Sequence, residues 1–415
     1  MGNIRHGRLA SRSAWKTLAV GAASVVGVVA VSGAAIAAYA ALDLVQTVKP
    51  TVKLESEQVL EGVPDVGAIP GGVNLLVIGS DSRQGQGDGF GDPEEETAVL
   101  NDVTMLLHIS QDHSHVEVVS FPRDMLVDVP ECTDPEDPGS TLEAMSSVKI
   151  NSVLEHGGME CVAKTVEGLV GVTIPFAGVV QFFGVAALSE AVGGVDVCVA
   201  EPIADEYTGT FLDPGTHTLS GMAALQFLRT RHGVGDGSDL GRISNQQVFL
   251  SALARKLQSQ GTLGDPVKLY AIAKAALSNM QLSSALAQPT TMISIAKAMQ
   301  DVDLAKIAFI QFPTAYVDGG AALEPSESAD LVRTALQQDL PVQLNPDADS
   351  PFASETDPNA PAPTDPATPA DPAAPTESAP PADPNATAAP PAEALPGDVS
   401  GQSAAEVRCS VANEG

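Results

Sequence analysis

The stretch FLRTRHGVGDGSDLGR, residues 227–242, carries Arg229, Arg231 and Arg242. The whole chain has 21 Lys and Arg against 52 Asp and Glu, a formal net charge of -31, so arginines gathered in so short a stretch point to an anion. If residues 229–231 run extended after a helix, Arg229 and Arg231 face the same side. Two parallel guanidinium groups then clamp a phosphate or diphosphate. The alternative is a weak surface pairing with Asp236 or Asp239.

Downstream, Arg242, Gln246, Phe249 and Leu253 are spaced i, i+4, i+7 and i+11, which places them on one helical face. The first turn is cationic and polar, with backbone N–H groups that favour an anion. Later turns are apolar. Such a face suits an amphiphilic ligand; the alternative for Phe249 and Leu253 is ordinary core burial.

A second cluster is GSDSR, residues 79–83, where a strand end offers Asp81 and Arg83. Asp102 opens the next strand, and with Asp81 it could give Mg²⁺ two oxygen ligands, leaving the other positions to water and phosphate. SFPRD adds Arg123, which the preceding proline could aim; the alternative is a solvated charge pair with Asp124. The glycines of QGQGDGFG lack both the dinucleotide pattern and the Walker lysine, so they are not read as a phosphate loop. HSH with Asp112 reads as a hairpin tip. No Ser/His/Asp order stands out.

These groups need elements to hold them. VNLLVIG reads as a buried strand, VTMLLHIS and VEVVSF as a hairpin, VDVCVA and KIAFIQF as further strands. FFGVAALSEAV reads as a helix ending at Gly193-Gly194, MAALQFL as one capped by Ser220, and residues 242–258 as another, with more helices to about 300. The alternation predicts an α/β fold, a sheet with helices on both faces, mixed because of its hairpins.

Around this core, residues 1–16 are basic and no charge follows from Thr17 to Leu42. We expect a cytoplasmic N-terminus (1–16), an uncleaved transmembrane anchor (17–42), a connector (43–72), an extracytoplasmic domain (73–340) and a tail (341–415). The tail's Pro/Ala/Asp/Thr-rich body, about 341–400, is expected to be a disordered spacer. Cys132, Cys161, Cys198 and Cys409 suit an oxidising compartment and contain no CxxC zinc pair. Four cysteines allow three pairings, which the sequence leaves open; we expect Cys132 with Cys161 and Cys198 with Cys409. The acidity argues against nucleic acid as a partner.

NLLVIGSDSR, NDVTMLLHIS, VVSFPRD, KINSVLEHGG, GGVDVCV, GTHTLSGMAALQFLRTR and SDLGRISNQQ, in this order across about residues 73–258, resemble the LytR-CpsA-Psr family of bacterial cell-envelope phosphotransferases. The GVGDGSDLGR loop has an actinobacterial character. The resemblance implies an α-β-α sandwich with a mixed central sheet, and a pocket holding a polyprenyl-pyrophosphate lipid with its tail in an apolar tunnel. It implies transfer of a glycopolymer from that carrier to peptidoglycan as a phosphodiester. By motif position it implies Asp81 and Asp102 as Mg²⁺ ligands and Arg83, Arg123, Arg229, Arg231 and Arg242 as pyrophosphate contacts, with Asp239 and Gln246 at further pocket positions. Two departures stand out: Asn245 replaces an arginine common before Gln-Gln, and no arginine closely precedes Asp102. A pyrophosphatase acting on the same lipid, and a lipid-holding envelope regulator without chemistry, are the rival readings. A transcription regulator does not fit, because only about 16 residues would face the cytoplasm.

Overall fold

The structure, a computed structural model, describes residues 14–63, 66–86, 94–95, 97–259, 262–344, 354–357, 396 and 399–413. Contacts divide the chain into two units, Met1–Thr47 and Val48–Gly415.

In the first unit a single helix, α1 (Ala14–Thr47), extends past both ends of the expected 17–42 span. Its Thr47 hydroxyl donates to the Asp43 carbonyl, and Pro50 stands just beyond, where a helix cannot continue. An 18-residue stretch within Leu18–Thr47 reaches a mean hydropathy of 2.2, and among the described residues this is the one helix long and apolar enough to cross a membrane.

The second unit is built on a mixed sheet. Its first strands are β1 (Val73–Ser80), β2 (Asn101–Ile109) and β3 (Val116–Phe121); β2 and β3 form the expected hairpin, and β1 pairs antiparallel with β2. Residues 111–114 form the tip between β2 and β3. After α2 (Val153–Val170) comes β4 (Phe176–Val180), which joins β1 in parallel. Then follow α3 (Phe182–Ala191), β5 (Val195–Val199), β6 (Gly215–Leu219), α4 (Met222–Arg229) and α5 (Asp239–Ser259). The series ends with α6 (Pro266–Asn279), β7 (Met280–Leu282), α7 (Pro289–Gln300), β8 (Ile307–Gln311) and α8 (Ala329–Gln337). Ser220 does not cap α4. The N-cap is Gly221, at φ 58°, a conformation glycine adopts freely.

Alternation along β1 divides the two faces. Leu76 and Ile78, both fully buried, face a core shared with Val162 and Val166 of α2 and Val332 and Leu336 of α8. Val77 and Gly79 face the opposite side, toward α3 and α5. Helices therefore cover both faces, giving the α-β-α arrangement.

The end of the chain extends the fold beyond the expected domain limit of 340. With β9 (Ser354–Thr356), β10 (Gly401–Ser403) and β11 (Arg408–Ser410), the seven-stranded sheet has the order β7-β4-β1-β2-β3-β8-β10. A four-stranded sheet has the order β6-β5-β11-β9, with β11 parallel to β5. Most of the predicted spacer lies outside the described residues. The segment after it docks because β8 has an open edge and Cys198 a partner in Cys409. Both expected disulfides form: Cys132–Cys161 with Cα atoms 5.4 Å apart and Cys198–Cys409 at 4.4 Å.

Candidate active site

At the C-terminal end of β1 the register with β2 shifts between Gly79 and Ser80. Gly79 permits the close approach there, since a Cβ on it would meet Val103 Cβ at 2.9 Å. Beyond the bulge, the Asp81 N–H donates to the Leu100 carbonyl at 3.2 Å and Asp81 Oδ1 accepts from the Leu100 N–H at 2.7 Å. This pairing directs the Asp81 and Asp102 carboxylates to one place, the polar end of a cavity of about 370 Å³.

Arg123 follows β3 and donates from Nη1 to Asp102 Oδ1 at 2.8 Å. Its backbone N–H donates to Asp239 Oδ2 at 3.1 Å. Its Nε is buried without a hydrogen-bond partner, 3.7 Å from both Asp124 Oδ2 and Asp239 Oδ1. Arg242 donates from Nε and Nη2 to Asp239 Oδ1, at 3.0 and 2.6 Å, and from Nη2 to the Asp102 carbonyl. Asp239, expected to contact a ligand, is instead buried and occupied by these two arginines, so it orients them.

Arg229 is the last residue of α4, not part of an extended segment, so the predicted same-side pair with Arg231 does not form. The helix stops at Thr230, whose hydroxyl donates to Asp205 Oδ2 at 2.7 Å; the Arg231 N–H joins the same oxygen at 3.1 Å. Arg231 then turns to the loop, its Nε donating to the Gly237 carbonyl at 3.1 Å, and it does not line the cavity. Arg229 stays at the mouth, its guanidinium 4.2 Å from the centre of the Phe182 ring. Among the described residues it makes no ion pair or hydrogen bond. Protein crowding on one side desolvates it and the charges of Arg83 and Arg242 add to that, lowering its pKa against the attraction of Asp102 and Asp81. A cation so placed favours an added anion. Arg83, half-buried, belongs to the same electrostatic cluster.

Behind this mouth the cavity is apolar. Arg242, Gln246, Phe249 and Leu253 all line it from α5, and Leu257 continues the stripe. Val185, Leu188 and Val192 face them from α3 and its end, and Leu269 and Ile272 from α6. Phe249 is also core, buried in a cluster with Phe227.

Two carboxylates at such a mouth fit a hard divalent cation, whose ligands are oxygens. Burial raises the Asp81 pKa and the charge of Asp102 adds to this, while the Leu100 N–H and Arg123 oppose it. Oδ2 of each aspartate has no hydrogen-bond partner among the described residues. The other cluster with metal-ligand character, Cys198, Asp357 and Cys409, has its two sulfurs bonded to each other.

Sequence reasoning did not find Asp205, which fixes the backbone after Arg229, nor the amides at the start of α3. Gln86 Nε2 donates to Gln181 Oε1 at 2.8 Å, and Gln181 lines the mouth. Neither position stands in a recognisable pattern. Asn245, at the arginine-replacing position, points away from the cavity: its amide donates to the Phe227 carbonyl at 2.8 Å and its Oδ1 accepts from the Ser410 hydroxyl at 2.6 Å.

Fold and site together define an α/β protein whose cavity suits an amphiphilic anion. The LytR_cpsA_psr family profile matches residues 39–338, and the chain belongs to that family. The cell wall biosynthesis protein LcpA of Corynebacterium glutamicum is 29% identical over 282 residues, 62% of this chain and 53% of that protein. The polyisoprenyl-teichoic acid–peptidoglycan teichoic acid transferase TagT of Bacillus subtilis is 26% identical over 196 residues, 46% of this chain and 54% of that protein. The chain thus spans about half the length of these curated relatives. The crystal structure of protein gbs0355 from Streptococcus agalactiae shares the fold, with a TM-score of 0.50 and 20% identity over 64% of this chain and 87% of that one.

Proposed function

We propose that this protein transfers a glycopolymer from a polyprenyl-diphosphate carrier to peptidoglycan, working at the outer face of the cell membrane with its N-terminus cytoplasmic and α1 as its single span. Residues 73–340, with the strands supplied by 399–413, form the catalytic domain. The observation that carries this reading is the junction of the Arg83, Arg123, Arg229 and Arg242 cluster with an apolar cavity. A diphosphate bearing a long hydrocarbon needs both. The name of TagT, a transferase from a polyisoprenyl carrier, supports the same assignment.

In the reaction, an acceptor sugar hydroxyl attacks the phosphorus that bears the glycopolymer. A new P–O bond forms, the bond from that phosphorus to the bridging oxygen breaks, polyprenyl monophosphate leaves, and the hydroxyl proton goes to water. Such a transfer needs alignment and charge neutralisation more than covalent help. Arg229 and Arg83 supply positive charge where the phosphoryl oxygens sit. Asp239 holds Arg242 and Arg123 so that little reorganisation is needed at the moment of reaction. Asp81 and Asp102 would hold Mg²⁺, which would neutralise part of the diphosphate charge when bound.

The test is to incubate the full-length protein with lipid-linked glycan and a peptidoglycan oligomer. A phosphodiester-coupled product is expected. Free phosphorylated glycan without coupled product identifies water as acceptor and replaces this reading with a pyrophosphatase.

A further inference from the structure

KINSVLEHGG and the Cys132–Cys161 disulfide have no part in the cavity described above. They build the wall of a second recess, of about 840 Å³ and mixed polar and apolar lining. α2 is kinked at Gly157 and Gly158, the latter at φ 68°. A Cβ on Gly157 would meet Cys161 Cβ at 2.6 Å, so the glycine is what lets the disulfide close there. The bridge ties the kink to the loop carrying Thr133 and Pro135, which form the same wall.

The opposite wall comes from the connector after α1. The Val52 N–H donates to the Leu282 carbonyl at 3.1 Å and the Val52 carbonyl accepts from the Ser284 N–H at 2.9 Å, which pins residues 49–53 along the edge strand β7. Lys49, Lys53, Gln281 and Gln84 line the recess and are solvent-exposed; Asp134 and Glu160 line it from the wall that the disulfide ties together, away from the two lysines in sequence. The recess and the lipid cavity share Ser80 and Gln181 as lining. The two cavities therefore adjoin at these residues.

We infer that this recess binds the acceptor, a peptidoglycan strand, and presents its sugar hydroxyl to the diphosphate across Ser80 and Gln181. The inference rests on the transfer reading above. Amide side chains suit the hydroxyl and acetamido groups of a glycan. Lys49 and Lys53 suit the carboxylates of its peptide stems, which a neutral sugar chain would not need. Its size lies within the usual range of ligand sites.

The probe is a soluble, undecorated peptidoglycan oligomer carrying its peptide stems, titrated into the full-length protein in detergent. Gln281→Trp fills the recess from an exposed position, and Lys53→Glu reverses one charge without touching the core. Each is expected to weaken oligomer binding about tenfold or more and leave retention of the lipid carrier unchanged. Unaltered oligomer affinity in both variants, absence of oligomer binding to the wild type, or a loss of carrier binding instead would overturn the inference. Failure of the transfer reading looks different: the oligomer binds and competes normally, yet no coupled product forms.

Discussion

Arg229 lies over the ring of Phe182, 4.2 Å from its centre, and makes no ion pair among the described residues. A cation held by an aromatic face and left without a counter-ion costs the fold no more than about 1 kcal/mol when removed, but it matters to an arriving anion. Arg229→Ala is expected to lower kcat/KM for glycan transfer about 100-fold or more, on the scale of a lost oxyanion donor. Its Tm should stay within about 2 °C of the wild type, as for other substitutions at exposed, unpaired positions. Arg229→Lys should recover only part of the activity, because an ammonium lacks the planar fork. A comparable loss of Tm and activity would make Arg229 a structural residue.

Asp81 should trade stability for function. Burial, with Asp102 beside it, holds its carboxyl above the ordinary carboxylate range. The unfolded chain gives up that proton first, at about pH 3.9, so folding stability falls as the pH rises from there through the folded-state pKa. Asp81→Asn removes this loss. The variant is expected to melt higher than the wild type at pH 7, to match it near pH 3, and to be inactive. Adding Mg²⁺ should raise the Tm of the wild type and leave that of the variant unmoved. Thermal scans at both pH values, with and without the ion, check all three outcomes.

Far from the site, His115 and Glu117 form a buried pair, Nδ1 to Oε1 at 2.9 Å, with Asp339, Asp112 and the His108 ring nearby. Burial opposes the charge on His115, but the bond and charge of Glu117, helped by Asp339 and Asp112, raise its pKa overall. The stability it contributes is full below the unfolded-state value of about 6.5 and is lost as pH rises through the folded-state one. His115→Gln should therefore lower Tm more at pH 5.5 than at pH 8.5. A difference that holds constant or grows with pH would contradict this pairing.

Deleting residues 396–415 is expected to destabilise the domain, although most of the tail before them reads as spacer. The deletion strips β8 of its edge partner β10, leaves Cys198 without Cys409, and removes the Ser410 hydroxyl from Asn245. A disulfide alone contributes about 2–4 kcal/mol, so the Tm should fall by about 5 °C or more. A truncated protein that melts like the full chain would show these strands to be dispensable.

How far the sequence could be read follows from the range of the interactions. The α5 face was legible because helical spacing is local: Arg242, Gln246, Phe249 and Leu253 line the cavity from the one stripe their numbers predict. Asp81 and Asp102 were legible because they end and begin strands that pair with each other. The course of residues 229–231 was misread because the helix runs on through Arg229 until Asp205, a distant residue, captures Thr230. The role of Asp239 was misread for the same reason, since its two arginines come from different elements. Strands β10 and β11 were illegible because short segments of weak pattern become strands only when a distant edge accepts them.

The central claim is that one cavity holds a hydrocarbon chain and its phosphates together. Native mass spectrometry of the full-length protein purified from its own membrane tests it most directly, with Leu253→Trp, which fills the cavity, and Arg229→Ala, which weakens its mouth. The account predicts a bound polyprenyl phosphate or diphosphate on the wild type, depleted in both variants. A wild type without lipid, or a phosphorus-free adduct that both variants retain equally, would contradict it.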